Sequence, residues 1–510
     1  MSSKLRLIVV ATSAGLLGVV LASRQQNDGE RLFRDVLSIV SNRFIEQMDG
    51  SQLLEKAARG LLDELDDPYA HLYSPKEQDE FTQQHQGNYG GVGMTIEDRD
   101  GVHTVTRVFR DTPAERAGMA EGDRIYSVND SVVRGWPIEK VTGRIKGPPG
   151  SKVTIEFERG THAPAKSTMT RAIVSIPAVP FAVKIDDVGY IPLGQFGESS
   201  SDEVAKSLAE LRRQGAKAFV LDLRGNGGGL LDEAVEISDL FLPTGKRVVI
   251  QRERRDSTVW NTRDAEQMGA APLVVLVDAG TASASEIVAG ALQDHDRALV
   301  IGQPTYGKGV VQTAYRVGGG SILKLTTGEW FTPAGRSIHR KREKVNGQWS
   351  VVSDSTAPAQ LFQSDAGRSL RGGGGINPDL EVKNDTTSLA ERRFIDAIRT
   401  HSQDFYLAYS GLAAELKSQV KPGFTVQPGW HDELYQRMQA RNVVVSREIY
   451  DGAREYISDL LAYRVARNAF GDGEAKRMFA DRDRQLMEAL KLLKVHQTQS
   501  ALMRVSNQGG

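Results

Sequence analysis

Two apolar runs, Ala218-Phe-Val-Leu-Asp-Leu223 and Pro272-Leu-Val-Val-Leu-Val277, constrain the fold of this chain more than any other feature. A strand with one wet face alternates apolar and polar residues. A strand apolar along its length is buried on both faces, as in a parallel sheet covered by helices. Each run is followed by a glycine-containing turn and a helical pattern, which gives βα units. Strands and helices alternate from Val188 to Asp379, so residues 173–384 are expected to form an α/β core, with a polar, poorly periodic insertion or flexible loop near 340–371.

The flanking regions differ in texture. Over residues 25–86 the pattern is helical: Leu32, Phe33, Val36, Leu37, Val40 and Phe44 share a helix face, and a second stretch from Leu53 to Leu65 ends at Asp67-Pro68. Residues 87–172 read as a compact module of short strands (93–96, 102–107, 124–128, 153–157) with short helices at 114–118 and 137–145. Residues 385–510 return to helical stripes, broken by Gly423 to Trp430. No internal repeat is evident.

At 510 residues the chain has room for about three domains. Its 64 basic and 65 acidic residues leave no basic excess, which argues against nucleic acid as a partner. The absence of cysteine excludes disulfides, thiolate metal sites and a thiol nucleophile. Lys4 and Arg6 precede an apolar run from Leu7 to Ala22, so residues 1–24 are expected to act as a signal peptide or signal anchor. That predicts an exported, periplasmic or extracytoplasmic protein. Cleavage after Leu21-Ala-Ser23 and retention in the membrane both stay open.

Hydrolytic chemistry in such a chain points to serine and lysine. Ser283 follows the second buried run and opens a helix, at the end of the sheet where α/β folds place ligands. The positive end of that helix can stabilise an oxyanion. Ser283-x-x-Glu286 is also a capping box, so a purely structural serine fits the same residues, with Ser285 an ordinary helix residue. Lys308 lies 25 positions on, between Gly307 and Gly309, with Gln312 placed to orient an amine or a substrate amide. A lysine base must be neutral, which requires burial. A surface turn is the bland alternative for Gly-Lys-Gly. A phosphate loop is excluded, because Gly309 stands where serine or threonine is required.

Asp222-Leu-Arg-Gly-Asn-Gly-Gly-Gly-Leu230 places glycines directly after a core strand. Backbone N–H groups of Gly228 or Gly229 are expected to pair with that of Ala284 as an oxyanion hole, and Asp222 with Arg224 as an ion pair. Gly90-Gly-Val-Gly-Met94 offers a nest of N–H groups for a peptide carboxylate: Gly91, Val92 and Gly93, with Met94 and Ile96 lining an apolar pocket. His295 is expected at the surface, roughly 18 Å along the helix from Ser283 and too far for a triad. No residue cluster has metal-ligand spacing, so neither metal nor other cofactor is expected.

Together these segments resemble the C-terminal processing peptidases, also called tail-specific proteases. Thr281-Ala-Ser-Ala-Ser-Glu286, Gly307-Lys-Gly309 and Gln312 are similar to the family's nucleophile, base and orienting glutamine. Asp222-Leu-Arg-x-Asn-x-Gly-Gly is similar to its oxyanion loop, with Gly227 where proline or serine is common. Leu65-Asp-Asp-Pro68, Trp330-Phe-Thr-Pro-Ala-Gly-Arg-Ser-Ile338 and Gly375-Ile-Asn-Pro-Asp379 also match, and 87–172 resembles the family's PDZ domain. The resemblance implies a multidomain α/β fold: a crotonase-like catalytic core with an inserted PDZ domain and N- and C-terminal helical regions. It implies a serine endopeptidase acting near protein C-termini, its PDZ domain capturing the tail and Ser283 activated by Lys308. A catalytically silent or partner-activated peptide-binding scaffold is the alternative. A homo-oligomer or an activating adaptor stays open, and dimerisation is expected of the C-terminal region.

Overall fold

The buried runs form the middle of a six-stranded sheet. The computed structural model describes residues 28–75, 77, 88–99, 101–159, 163–264, 266–352, 360–383 and 387–505. They fall into two units: Met1–Gln78 with Gln312–Thr326 and Arg342–Ser350, and Asp79–Val311 with Thr327–Lys341 and Val351–Gly510.

In the larger unit the sheet order is β1 (Val183–Ile185), β2 (Val188–Pro192), β3 (Ala218–Asp222), β4 (Leu273–Val277), β5 (Leu299–Gly302) and β6 (Leu380–Glu381). β1 is antiparallel to β2, and all later neighbours are parallel. Alternate residues go to opposite layers. Phe219, Leu221, Leu273, Val275 and Val277 face a core shared with α1 (Ser200–Arg213), α2 (Leu231–Asp239) and α3 (Ala284–Asp294). Ala218, Val220, Val274 and Leu276 face a second core built with Leu486, Ala489, Leu492, Leu493 and Leu502. Both faces are thus covered, which is why these strands carry no polar alternation.

The second cover comes from the chain's last helices, Arg484–Val495 and Gln499–Met503. The C-terminal region therefore divides near Gly471, not at Gly423 to Trp430. Helices on either side of 423–430 share one core of Phe394, Phe405, Leu412, Leu434, Tyr450 and Leu461, whereas Ala480, Leu486 and Leu493, beyond 471, pack on the six-stranded sheet. The expected loop at 340–371 contains two strand pairs, Arg342–Val345 with Gln348–Val351 and Leu361–Gln363 with Ser369–Arg371.

The strand-rich module has its own core of Val92, Val105, Ile125, Val141 and Ile155. Its sheet has Met94–Arg99 at one edge, followed by Val102–Val108, Arg124–Val128, Lys152–Glu158 and Ala165–Thr170. The short helices form at Pro113–Arg116 and Ile138–Ile145. Glu121 of this module accepts from the Tyr406 hydroxyl at 3.0 Å and from Arg464, and Gln403 Nε2 donates to Thr104 Oγ1 at 2.6 Å. These bonds join the module to the helical cluster.

In the smaller unit, helices cover 28–43 and Gly50–Asp63, and His71–Tyr73 pairs antiparallel with 322–324. The periodicity of the first helix is as the sequence predicts, but its stripe is exposed: Leu32 is 66% and Phe33 56% accessible. No helix among the described residues is long and apolar enough to cross a membrane, and the 7–22 run lies outside them.

Two of the matched segments close a buried ionic network around the end of α3. Arg336, fully buried, donates to Asp294, to Gln293 Oε1 at 2.9 Å and to the Arg371 carbonyl at 3.2 Å. Arg368 reaches Asp379 Oδ1 at 2.6 Å and the Gln293 carbonyl at 2.9 Å. Removing one partner of such a pair strands a buried charge. Arg336→Ala is expected to lower unfolding stability by roughly 3–5 kcal/mol, read from the denaturant midpoint at unchanged slope. A loss below about 1 kcal/mol would remove this network from the account of stability.

Candidate active site

β4 ends at Val277, and the turn after it is set by one carboxylate. Asp278 Oδ1 accepts from the N–H groups of Gly280 at 2.9 Å and Thr281 at 3.1 Å, and from Gly225 of the neighbouring loop at 2.9 Å. Thr281 Oγ1 donates to the Leu223 carbonyl at 2.9 Å. The two βα turns are thus bound edge to edge.

Ser283 sits at the N-cap of α3 with φ 56° and ψ −118°. A capping serine ordinarily lies in the β region. Positive φ at a non-glycine residue is uncommon and costs on the order of 1–3 kcal/mol, a strain that clusters at functional sites. This separates Ser283 from a routine cap. Gly228, itself at φ 96°, lies so close that a Cβ there would stand 2.7 Å from the Ala282 carbonyl oxygen and 2.9 Å from Ser283 Cβ.

Glu286, one turn into α3, joins this segment to that of Lys308. It is fully buried. Oε2 accepts from the N–H of Ser283 and from the N–H of Lys308, each at 2.9 Å. Oε1 accepts from Thr305 Oγ1 at 2.5 Å and the Gly307 N–H at 2.8 Å. Burial pushes the carboxyl above its ordinary value, while the bonds from Thr305, Lys308, Gly307 and Ser283 pull it down without cancelling the rise. Tyr306 N–H adds a direct bond to the Thr281 carbonyl at 3.0 Å.

The glycines beside Lys308 answer to close approach. A Cβ on Gly307 would meet Arg340 Cβ at 2.7 Å, and one on Gly309 would meet the His339 nitrogen at 2.8 Å. Trp330 holds the same turn: its indole N–H donates to the Lys308 carbonyl and its backbone N–H to that of Gly309, both at 3.0 Å. The Gly-Lys-Gly segment is therefore a packed turn, with Lys308 half-buried. Gln312 belongs to the smaller unit, where Nε2 donates to the Tyr69 carbonyl at 2.8 Å.

Several expectations change on contact with the structure. Gly228 N–H donates to Asn226 Oδ1 at 2.9 Å, so the expected donor pair is half assembled; the Ala284 N–H has no partner among the described residues. Ser285 is buried and donates to the Asn226 carbonyl at 2.9 Å, a structural bond. His295 is no surface residue. It is half-buried at the far end of α3, with Nδ1 2.9 Å from Asp365 Oδ2 and Nε2 2.7 Å from the Arg247 carbonyl. Asn226 was not singled out by sequence, yet it organises the loop. Its side chain also donates to the Leu193 carbonyl at 2.8 Å, and its backbone carbonyl accepts from Ala282 at 2.9 Å.

In the strand-rich module, Gly91 ends the strand Asn88–Gly91, paired with Ala172, and Val92 and Gly93 lead from it into the edge strand, with Gly93 at φ 87°. Val92 and Met94 are buried in the module's core, so Met94 does not line an open pocket; Ile96 is only partly buried against it. Among the described residues no group of three or more His, Asp or Glu is arranged to hold a metal.

Family comparison agrees with this architecture. Residues 187–347 match the model of peptidase family S41, 104–159 a PDZ domain and 20–77 the N-terminal domain of the activating protease CtpB. The chain is 31% identical over 372 residues to the carboxy-terminal processing protease CtpA of Bacillus subtilis (strain 168), covering 73% of this chain and 78% of that one. It is 33% identical over 340 residues to the carboxy-terminal-processing protease of Bartonella bacilliformis, covering 65% and 76%. Among solved structures, a photosystem II D1 C-terminal processing protease aligns over 60% of this chain and 89% of its own, with 28% identity and a TM-score of 0.36. With a strained serine opening the helix beside a glycine loop, and with relatives matched over most of their length, the chain belongs to the carboxy-terminal processing proteases of peptidase family S41.

Proposed function

We propose that this serine-type protease works through a Ser283–Lys308 dyad. The observation that carries the reading is the single Glu286 oxygen that accepts from the backbone N–H of both residues, which ties nucleophile and base to one buried anchor. Neutral Lys308 Nζ takes the Ser283 Oγ proton as Oγ bonds to the scissile carbonyl carbon. The Ala284 N–H, with the amide of Gly228 turned from Asn226, or that of Gly229, donates to the oxyanion. Collapse breaks the C–N bond, and the Lys308 ammonium returns the proton to the leaving amine. Water, deprotonated by Lys308, then attacks the acyl carbon; the C–Oγ bond breaks, the Lys308 ammonium returns the proton to Ser283 Oγ, and the new C-terminus is released.

The substrates are proteins with accessible C-terminal tails. The segment Gly91–Gly93 would take the terminal carboxylate, and the edge strand Met94–Arg99, with Ile96, would pair with an extended tail. The basic and apolar N-terminal segment supports export to the periplasm or another extracytoplasmic space. The test is a carrier protein with a flexible tail ending in apolar or in charged residues, its products followed by mass spectrometry beside Ser283→Ala. Tail-dependent cleavage of the apolar form, lost in the variant, is expected. Cleavage that persists in Ser283→Ala overturns the nucleophile, and equal cleavage of both tails removes the apolar preference.

A further inference from the structure

Arg224 lies two residues past the end of β3, at the entrance to the glycine loop, and its side chain is only 18% exposed. One side of the guanidinium is held by its own turn: Nε donates to Asp222 Oδ1 at 2.9 Å, Nη2 to Asp222 Oδ2 at 2.5 Å. The other side is held from the far end of the chain. Nη1 donates to Asp483 Oδ1 at 2.9 Å and to Gln485 Oε1 at 3.0 Å, and Nη2 to Asp483 Oδ2 at 2.7 Å. Lys476 Nζ also donates to Asp483 at 2.6 Å, and the Tyr190 hydroxyl to Asp222 at 2.6 Å. Opposite charges therefore alternate from Asp222 to Arg224, Asp483 and Lys476. Burial alone would raise the Asp483 carboxyl, yet the bonds and charges of Arg224 and Lys476 hold it well below its ordinary value.

Beyond Arg224 the chain runs directly into Gly225 and Asn226, and from there to Gly228 against Ser283. Residues 476–485 lie outside the segment 187–347 that matches the peptidase family model. We infer that Asp483 is a positioning residue of the protease, acting through Arg224 to hold the glycine loop against Ser283. The last helices thereby form a working part of the active site as well as a cover for the sheet. This rests on the Ser283 and Lys308 reading.

Truncation cannot test it, because Leu486, Ala489 and Leu492 belong to the core. A paired substitution can. Asp483 also caps helix Arg484–Val495, accepting from the Leu486 N–H at 3.1 Å. Asparagine caps as well as aspartate, but its amide would turn a donor toward Arg224 and Lys476. Glutamate keeps the charge and is the poorer cap. In the full chain, Asp483→Asn is expected to stay folded but to melt below wild type, because it keeps the helix cap and loses the charge that pairs with Arg224 and Lys476. Its kcat should fall about tenfold with KM within about twofold, a fraction of the loss on removing an oxyanion donor outright. Asp483→Glu is expected to melt below wild type as well, yet recover most of that kcat. Two destabilised variants that differ in kcat separate positioning from folding, since a merely structural role makes activity follow stability. Wild-type kcat in Asp483→Asn, or kcat tracking melting temperature through both variants, overturns the inference. Ser283→Ala in the same series is read separately: cleavage surviving there overturns the nucleophile assignment and the inference built on it.

Discussion

Lys308→Ala is expected to cost on the order of 10⁵-fold in kcat, the scale on which members of a catalytic unit fail when removed singly. The fold should survive, because the backbone bonds that seat this residue do not depend on its side chain. Its N–H goes to Glu286, its carbonyl accepts from Trp330, and the glycines beside it supply the room. Any side chain compatible with a half-buried position leaves those bonds in place. Lys308→Arg sharpens the test, since guanidinium keeps the charge and cannot be deprotonated in a protein. A base mechanism therefore predicts that arginine is as dead as alanine. Purely electrostatic assistance predicts that arginine retains much of the rate. Progress curves on a tail peptide, beside melting curves for each variant, decide between them. A Lys308→Arg enzyme with more than about a tenth of wild-type kcat would end the dyad reading.

What the sequence made legible follows from how much each role restricts residue choice. Strands β3 and β4 were readable because burial on two faces writes apolar side chains at successive positions, and both cores now account for them residue by residue. Ser283 and Lys308 were readable from their settings, a helix start and a glycine clasp. Their connection was not. Glu286 looked like half of a capping box, and only the fold shows its other oxygen engaged by Thr305 and Gly307. Asn226 in a glycine run looks like any turn residue, so its hold on the Gly228 amide left no trace. The stripe Met487, Leu490 and Leu493 marked an amphipathic helix but not its partner, which for Leu490 and Leu493 proved to be the sheet, while Met487 stays exposed. At the other end Leu32 and Phe33 marked a helix face that this chain leaves exposed.

Glu286 should separate activity from stability more clearly than any other residue here. Its four partners all donate, so full service requires the ionised carboxylate, an acceptor only. Burial nevertheless raises its pKa. For an acid raised in the folded state, the fold binds more protons than the unfolded chain through the interval between the two values. Its contribution to stability is then complete below the unfolded value and lost as pH rises through the folded one. Activity should run the other way. Protonation replaces an acceptor by a donor at the anchor, loosens Ser283 or Lys308, and costs kcat on the acid side. Glu286→Gln fixes the neutral form at every pH. It is expected to stay folded, to lose about 10²-fold in kcat, as small misplacements of reacting groups do, and to lose the acid limb that Glu286 contributes. Glu286→Ala removes all four acceptances and leaves a cavity, so it should also be destabilised, by roughly 3–5 kcal/mol. A Gln variant with wild-type kcat and an unchanged acid limb would show that the nucleophile and base are held together by something other than this carboxylate.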